Sequence, residues 1–281
     1  MFRIPVVRRM EKPVLQQRTA VVGTSPCCGV SFVSGLLAVG ICSLPGAEND
    51  AGCCTLAELG TPYFYTALGI EKRFADASFV FYEDLLEKRQ SLLTVRNSFR
   101  GLSLMLRRPD ACGLAPSACA CRMPGQQVVF DLSGFSEDAL DEVLPDADSI
   151  LIVVDPLPSR LLPAEKRLRR LLLKYPDAKL IVNRMNKAVP AAELRRFLGG
   201  SFVSLPFADP ALVYKAEYGC ELFAQELPVP AFFRVGPHCL FPRLARAHPL
   251  VRKGEWGIDV DFIYDVLHRQ RAEGLEAIRR A

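Results

Sequence analysis

Not one charged residue of either sign lies between Arg18 and Glu48, although the 281-residue chain holds 35 Lys and Arg and 31 Asp and Glu. Such a silent stretch after Arg3, Arg8, Arg9 and Lys12 invites comparison with a signal peptide or membrane anchor. The turn-forming residues of Gly23 to Gly29 break it, however, and the apolar part after them, 30–44, falls short of the roughly 20 residues that a span needs. A buried first helix is therefore expected, with no transmembrane segment. A second absence concerns the ten cysteines, which form no paired C-x-x-C framework at zinc-site spacing. Reduced, cytoplasmic thiols follow, packing as small hydrophobes at Cys42, Cys53 and Cys54. Cys112, Cys119 and Cys121 share a Pro/Ala/Gly-rich loop, and a thiol or metal protein is the alternative they leave open. A third absence is charge imbalance: the net charge of only +4 argues against a nucleic-acid footprint, so Arg96, Arg100, Arg107 and Arg108, and Lys166, Arg167, Arg169 and Arg170, read as solvated faces.

Apolar runs suited to buried strands recur at 19–23, Cys54–Glu58, Gln127–Asp131, 149–155, 179–183 and 201–205. Helical spacing separates them, clearest in 163–175 and again in 190–198. Strands rich in Val, Ile and Leu alternating with helices predict an α/β fold, a mostly parallel sheet with helices on both faces. The domain bounds expected are an extension at 1–17, the main domain at 18–227 with an aromatic insertion at 61–108, and a loop and helix extension at 228–281.

The first strand runs into Gly23-Thr24-Ser25-Pro26-Cys27-Cys28-Gly29-Val30-Ser31-Phe32, which has the outline of a phosphate-binding loop opening a helix. Such a loop reads G-x-x-x-x-G-K-[ST], its amides and helix N-terminus holding phosphates while Lys and Ser/Thr serve the terminal phosphate and Mg²⁺. Gly29 and Ser31 stand where the second glycine and the hydroxyl belong, Val30 where the lysine belongs, and Thr24 where the first glycine belongs. Further on come a strand ending in Glu58, a strand ending in Asp131 followed by Leu-Ser-Gly134, the pair Asn183-Arg184 after another strand, and Leu205-Pro206-Phe207-Ala208-Asp209-Pro210.

That order resembles the ParA/MinD-like (SIMIBI class) branch of P-loop ATPases, including the CpaE-like proteins of pilus assembly, over about residues 18–225. The family loop K-G-G-V-G-K-T, aligned on Gly29, puts Ser25 at the signature lysine, Pro26 and Cys27 at the two glycines, Cys28 at the valine and Val30 at the second lysine. The resemblance thus implies a degenerate Walker A loop. It implies that Ser31, Glu58 and Asp131 serve Mg²⁺, with Glu58 and Asp131 catalytic if the protein is active. It implies that Gly23, Thr24, Ser25, Cys28, Gly29, Val30, Ser31 and Phe32 line the phosphates, and that Asn183, Arg184 and Pro206 lie at the base.

A hydrogen bond to a charged group contributes roughly 1.5–3 kcal/mol, so two absent lysines lower nucleotide affinity by about two to four powers of ten. Hydrolysis suffers more than binding, because charge building on the phosphoryl oxygens relies on those cations. ATP and Mg²⁺ are therefore expected to bind weakly, and the chain to act as a regulatory or scaffolding partner of another protein, in pilus assembly or cell-surface localisation. An active Mg-dependent ATPase, with an arginine such as Arg184 in place of lysine, is the rival. Ser25 cannot reach across a nucleotide-bridged dimer as the signature lysine does, so no such dimer is expected. Residues 258–280 have the helical pattern of a MinD-type membrane helix, which would allow peripheral membrane contact, but Asp259, Asp261 and Asp265 would be repelled by anionic lipid.

Overall fold

In the computed structural model, the residues described are 17–42, 54–70, 81, 102–109 and 127–222. They form seven strands and six α-helices: β1 (Gln17–Gly23), α1 (Val30–Cys42), β2 (Cys54–Glu58), α2 (Tyr63–Ala67), β3 (Leu102–Met105), β4 (Gln127–Asp131), α3 (Glu137–Val143), β5 (Ser149–Val154), α4 (Pro158–Lys174), β6 (Lys179–Met185), α5 (Ala191–Leu198), β7 (Val203–Pro206) and α6 (Pro210–Tyr218). A 3₁₀ turn at Leu144–Asp146 joins α3 to β5.

The strands make one sheet in the order β3-β2-β4-β1-β5-β6-β7, and every pairing is parallel. Successive strand residues face opposite sides, and the core divides accordingly. Ala20, Val22, Val128, Phe130, Ile152, Val154, Leu180 and Val182 pack with Leu140 and Val143 of α3, Leu161, Leu168 and Leu171 of α4, and Leu194 and Leu198 of α5. Their neighbours Val21, Leu56, Val129, Val153 and Ile181 pack on the other face with Val30, Val33, Leu36 and Ala38 of α1 and with Phe64 and Leu68. Burial of both faces explains why the strands read as continuous apolar runs rather than alternating ones. Helix α1, uncharged throughout, is covered in the same way, as a helix apolar on all sides must be. Among the described residues, no helix is long and apolar enough to cross a membrane.

Each expected strand is present within two residues of its bounds. One was missed: β3, inside the stretch expected as an insertion at 61–108, pairs with β2 and forms an edge of the main sheet. In that stretch Phe64 is buried and Tyr65 and Phe81 meet in a tilted contact at 5.9 Å between centroids, so these aromatics serve packing. Tyr63 is partly exposed, while Phe74, Phe79 and Tyr82 lie outside the described residues. Helix α4 begins earlier than the 163–175 expected, with Pro158 in its first turn, so Pro163 sits inside the helix on its exposed face. Cys53, Cys112, Cys119, Cys121 and all of 228–281, with the helix expected at 258–280, lie outside the described residues.

Candidate functional site at the carboxyl ends of the strands

Strand β1 sits between β4, which follows the chain to one side, and β5, which opens the other side. Such a switch point leaves a crevice at the carboxyl ends of the strands, where open α/β sheets take ligands. The loop 24–29 leaves β1 at this point and enters α1.

Its conformation is fixed from several sides. Thr24 gives both its N–H (3.1 Å) and its hydroxyl (3.3 Å) to the Val153 carbonyl. Cys27 and Gly29 adopt left-handed φ values of +57° and +98°. This region disfavours any residue but glycine, so Cys27 holds a glycine conformation at a position where the aligned loop has glycine. A Cβ on Gly29 would overlap the Asn183 side-chain nitrogen. Cys28 is buried, its sulfur facing Gly23 so closely that a Cβ there would come to 2.6 Å. Burial pushes the Cys28 thiol pKa up, opposed by the nearby Ser25 and Thr24 amides. Val30 turns into the core, so the position of the second lysine carries an apolar anchor. Ser25 and Ser31 are half-buried. No acidic residue occupies the first turn of α1, which leaves its N-terminal amides electrostatically open to an anion.

Across the sheet, Glu58 and Asp131 end β2 and β4 directly opposite each other in the register. Both are fully buried. Glu58 Oε1 accepts the Phe64 N–H at 2.6 Å, and Asp131 Oδ1 accepts the Ser133 N–H at 2.8 Å. Glu58 Oε2 and Asp131 Oδ2 are left without a partner. Burial first, and then the charge of Asp131, push the Glu58 carboxyl up to about 8 despite the hydrogen bond from Phe64. Burial likewise raises the Asp131 pKa, against hydrogen bonding from Ser31 and Ser133. The chains leaving the two strands touch backbone to backbone: Leu59 N–H donates to the Asp131 carbonyl at 3.0 Å, and any Cβ on Gly60 would drive into the Ser133 carbonyl. Two orphaned carboxylate oxygens beside a serine hydroxyl fit a hard divalent cation, which Asp131, Ser31 and Glu58 would hold.

Asn183 and Arg184 end on the opposite flank. The Asn183 amide donates to the Cys28 carbonyl at 2.9 Å and its oxygen accepts the Arg184 N–H at 2.9 Å. An adenine edge would have to displace those bonds. Arg184, itself at φ +61°, pairs with Asp155 at 2.6 Å. Pro206 is exposed at the end of β7, three strands from β1 and in register with Met185. The loop, Glu58, Asp131, Asn183 and Arg184 thus gather around one end of the sheet, with Pro206 at its margin.

Helix α4 contributes to the loop in a way that its sequence alone does not reveal. Arg160 donates to the Cys27 carbonyl at 3.0 Å, and Arg167 donates to the Gly23 carbonyl at 3.1 Å and the Phe135 carbonyl at 2.9 Å. Arg167 is therefore an internal clamp rather than part of a solvated face. Arg169 and Arg170, with side chains 43% and 46% exposed, do lie on a solvated face, where they bond the Phe197 carbonyl and Glu165, and Glu137 and Asp141. Positive charge at i and i+7 of one helix, following a strand that ends in Asp, was the available signal. Cys27 and Cys28 are free thiols, and among the described residues no group of three His, Cys, Asp or Glu could hold a metal.

No protein-family model and no curated protein matches the chain. Solved structures do. A MinD septum site-determining protein of Pyrococcus horikoshii OT3 complexed with Mg-ADP aligns with a TM-score of 0.58 at 13% identity, covering 85% of this chain and 100% of that one. A ParA family ATPase of Chlorobium tepidum TLS gives 0.57 at 15% identity over 76% and 93%. A MinC:MinD cell division complex of Aquifex aeolicus gives 0.57 at 16% over 75% and 88%. The fold is the ParA/MinD-like P-loop fold, with its all-parallel sheet.

Proposed function

We propose that this chain binds a nucleoside triphosphate with Mg²⁺ weakly, hydrolyses it poorly or not at all, and works as a regulatory or scaffolding partner of another protein. The observation that carries this reading is the mismatch within one loop. The chain turns from β1 into α1 with Cys27 and Gly29 at positive φ and Ser31 in the first turn of α1, which suits a phosphate loop, while no lysine lies between Gly23 and Phe32 and Val30 is buried. Backbone amides bind phosphate in the ground state, but transition-state charge calls for cations placed at the terminal phosphoryl group. The fold's likeness to a MinD solved with Mg-ADP supports the nucleotide, and its likeness to the MinD of a MinC:MinD complex supports a protein partner. The degenerate loop, a cytoplasmic setting and a role in pilus assembly or cell-surface localisation belong to the same proposal and rest on the resemblance read from the sequence. Nucleic acid is not part of it, since Arg167, Arg169 and Arg170 are engaged within the domain.

Calorimetric titration with Mg-ATP, followed by a phosphate-release assay, tests the reading. Binding near millimolar without turnover is expected. The second reading, an active ATPase, is favoured by the buried Glu58–Asp131 pair with its two unpartnered oxygens. Micromolar binding with turnover that disappears in Asp131→Ala would establish it and sink the first.

A further inference from the structure

Asp155 follows β5 at the mouth of the crevice, and its carboxylate is only 3% exposed. Its Oδ1 accepts the Leu157 N–H at 3.0 Å. Its Oδ2 faces two guanidinium groups, Arg184 at 2.6 Å and Arg160 at 3.6 Å, each 37% exposed. Among the described residues, Asp155 is the one carboxylate with which either arginine pairs. Two cations on one anion leave a unit of positive charge at this spot.

The pair is also fastened to the loop. Arg160 holds the Cys27 carbonyl, and Asn183, the residue before Arg184, holds the next carbonyl, Cys28. Two consecutive loop carbonyls are thus gripped by α4 and β6, the elements whose arginines meet at Asp155. The strained φ of Arg184 lies in this cluster, and strain of that kind persists where the surroundings over-determine a position. Guanidinium groups suit the task, because the planar fork stays charged and can serve a carboxylate and a phosphate on different edges.

We propose that Arg160 and Arg184, mounted on buried Asp155, supply the positive charge that the loop's own residues lack, making the loop mouth a binding determinant for polyphosphate anions. The inference deepens the nucleotide reading above and rests on it for the identity of the ligand. The two arginines act by positioning charge at the rim, and Asp155 sets how much of it is available.

The experiment uses the full chain, with Mg-ATP and inorganic tripolyphosphate as separate calorimetric probes. Asp155→Asn keeps an oxygen for the Leu157 N–H but raises the local charge by one unit, and is expected to tighten binding on the order of tenfold at low salt, with a steeper fall as salt is added. The double variant R160Q/R184Q is expected to weaken binding by a similar factor, and R160K/R184K to recover most of the loss. Thermal melts establish that each variant folds, and the Asp155→Asn and lysine arms stand even if the glutamine variant does not. Equal affinity for ATP across all folded variants would overturn the proposal while leaving the nucleotide reading intact. The predicted order with tripolyphosphate, without any preference for ATP, would uphold the rim charge and sink the nucleotide reading.

Discussion

Glu58 is a buried carboxyl whose chemistry departs far from its ordinary state. Its carboxyl is raised from 4.5 to about 8 by burial next to Asp131, so between those values the folded chain keeps a proton that the unfolded chain has released. The Glu58 contribution to stability therefore falls as pH rises through this window and is gone above about pH 8, and buried Asp131, also raised, acts in the same sense. Denaturant melts at pH 5 and pH 9 should show a loss of a few kcal/mol in the native protein, and a much smaller change in Glu58→Gln, which stays neutral throughout. An unchanged slope in the variant would show that another group carries the effect. Gly29→Ala places a side chain at φ +98° against the Asn183 amide, and should cost about 1–3 kcal/mol by denaturant unfolding. Gly29 and Ser31 were legible from the motif. The engagement of Asn183 with the loop was not, because a side chain 155 positions away in sequence reaches the Cys28 carbonyl only through the sheet order.

Helix α4 does more than cover the sheet. Through Arg167 it joins the end of β1 to the segment after β4, touching the Gly23 and Phe135 carbonyls with one side chain. Arg167→Ala removes two charge-assisted bonds to carbonyls in this crevice and should destabilise the fold by roughly 2–4 kcal/mol, measured by chemical denaturation. The opposite sign is expected for Pro163→Ala. Pro163 lies on the exposed side of the helix interior, where it withholds an N–H from the ladder, and alanine should raise stability by about 1 kcal/mol or more in thermal melts. The helix itself was legible from its apolar spacing, but its start was not. Pro163 looked like a first-turn proline, whereas Pro158 occupies that position. The strand β3 escaped for a different reason: four residues, Leu102–Met105, are too short to show a period.

The order of the seven strands is what turns scattered residues into one site. Parallel β2, β4, β1, β5 and β6 carry Glu58, Asp131, the loop, Asp155 and Asn183 to the same end of the sheet, and this much could be expected from apolar runs that end in a polar residue or a glycine. The partners of the arginines could not, since charge on a helix says nothing about which carbonyls it faces. At this scale Ser25, which stands where the resemblance implies a signature lysine, bears on assembly. Ser25, half-buried with its hydroxyl unpartnered, offers no cation to a second copy, so light scattering with and without a non-hydrolysable ATP analogue should give the same mass. A nucleotide-driven doubling of mass would contradict this. Finally, Gly60 lies against the Ser133 carbonyl with no room for a single carbon. The distance between the two carboxylate-bearing strand ends is thereby set by the absence of a side chain. Any side chain at position 60 would force the two strand ends apart, so the gauge of the jaw holds only while that residue remains glycine.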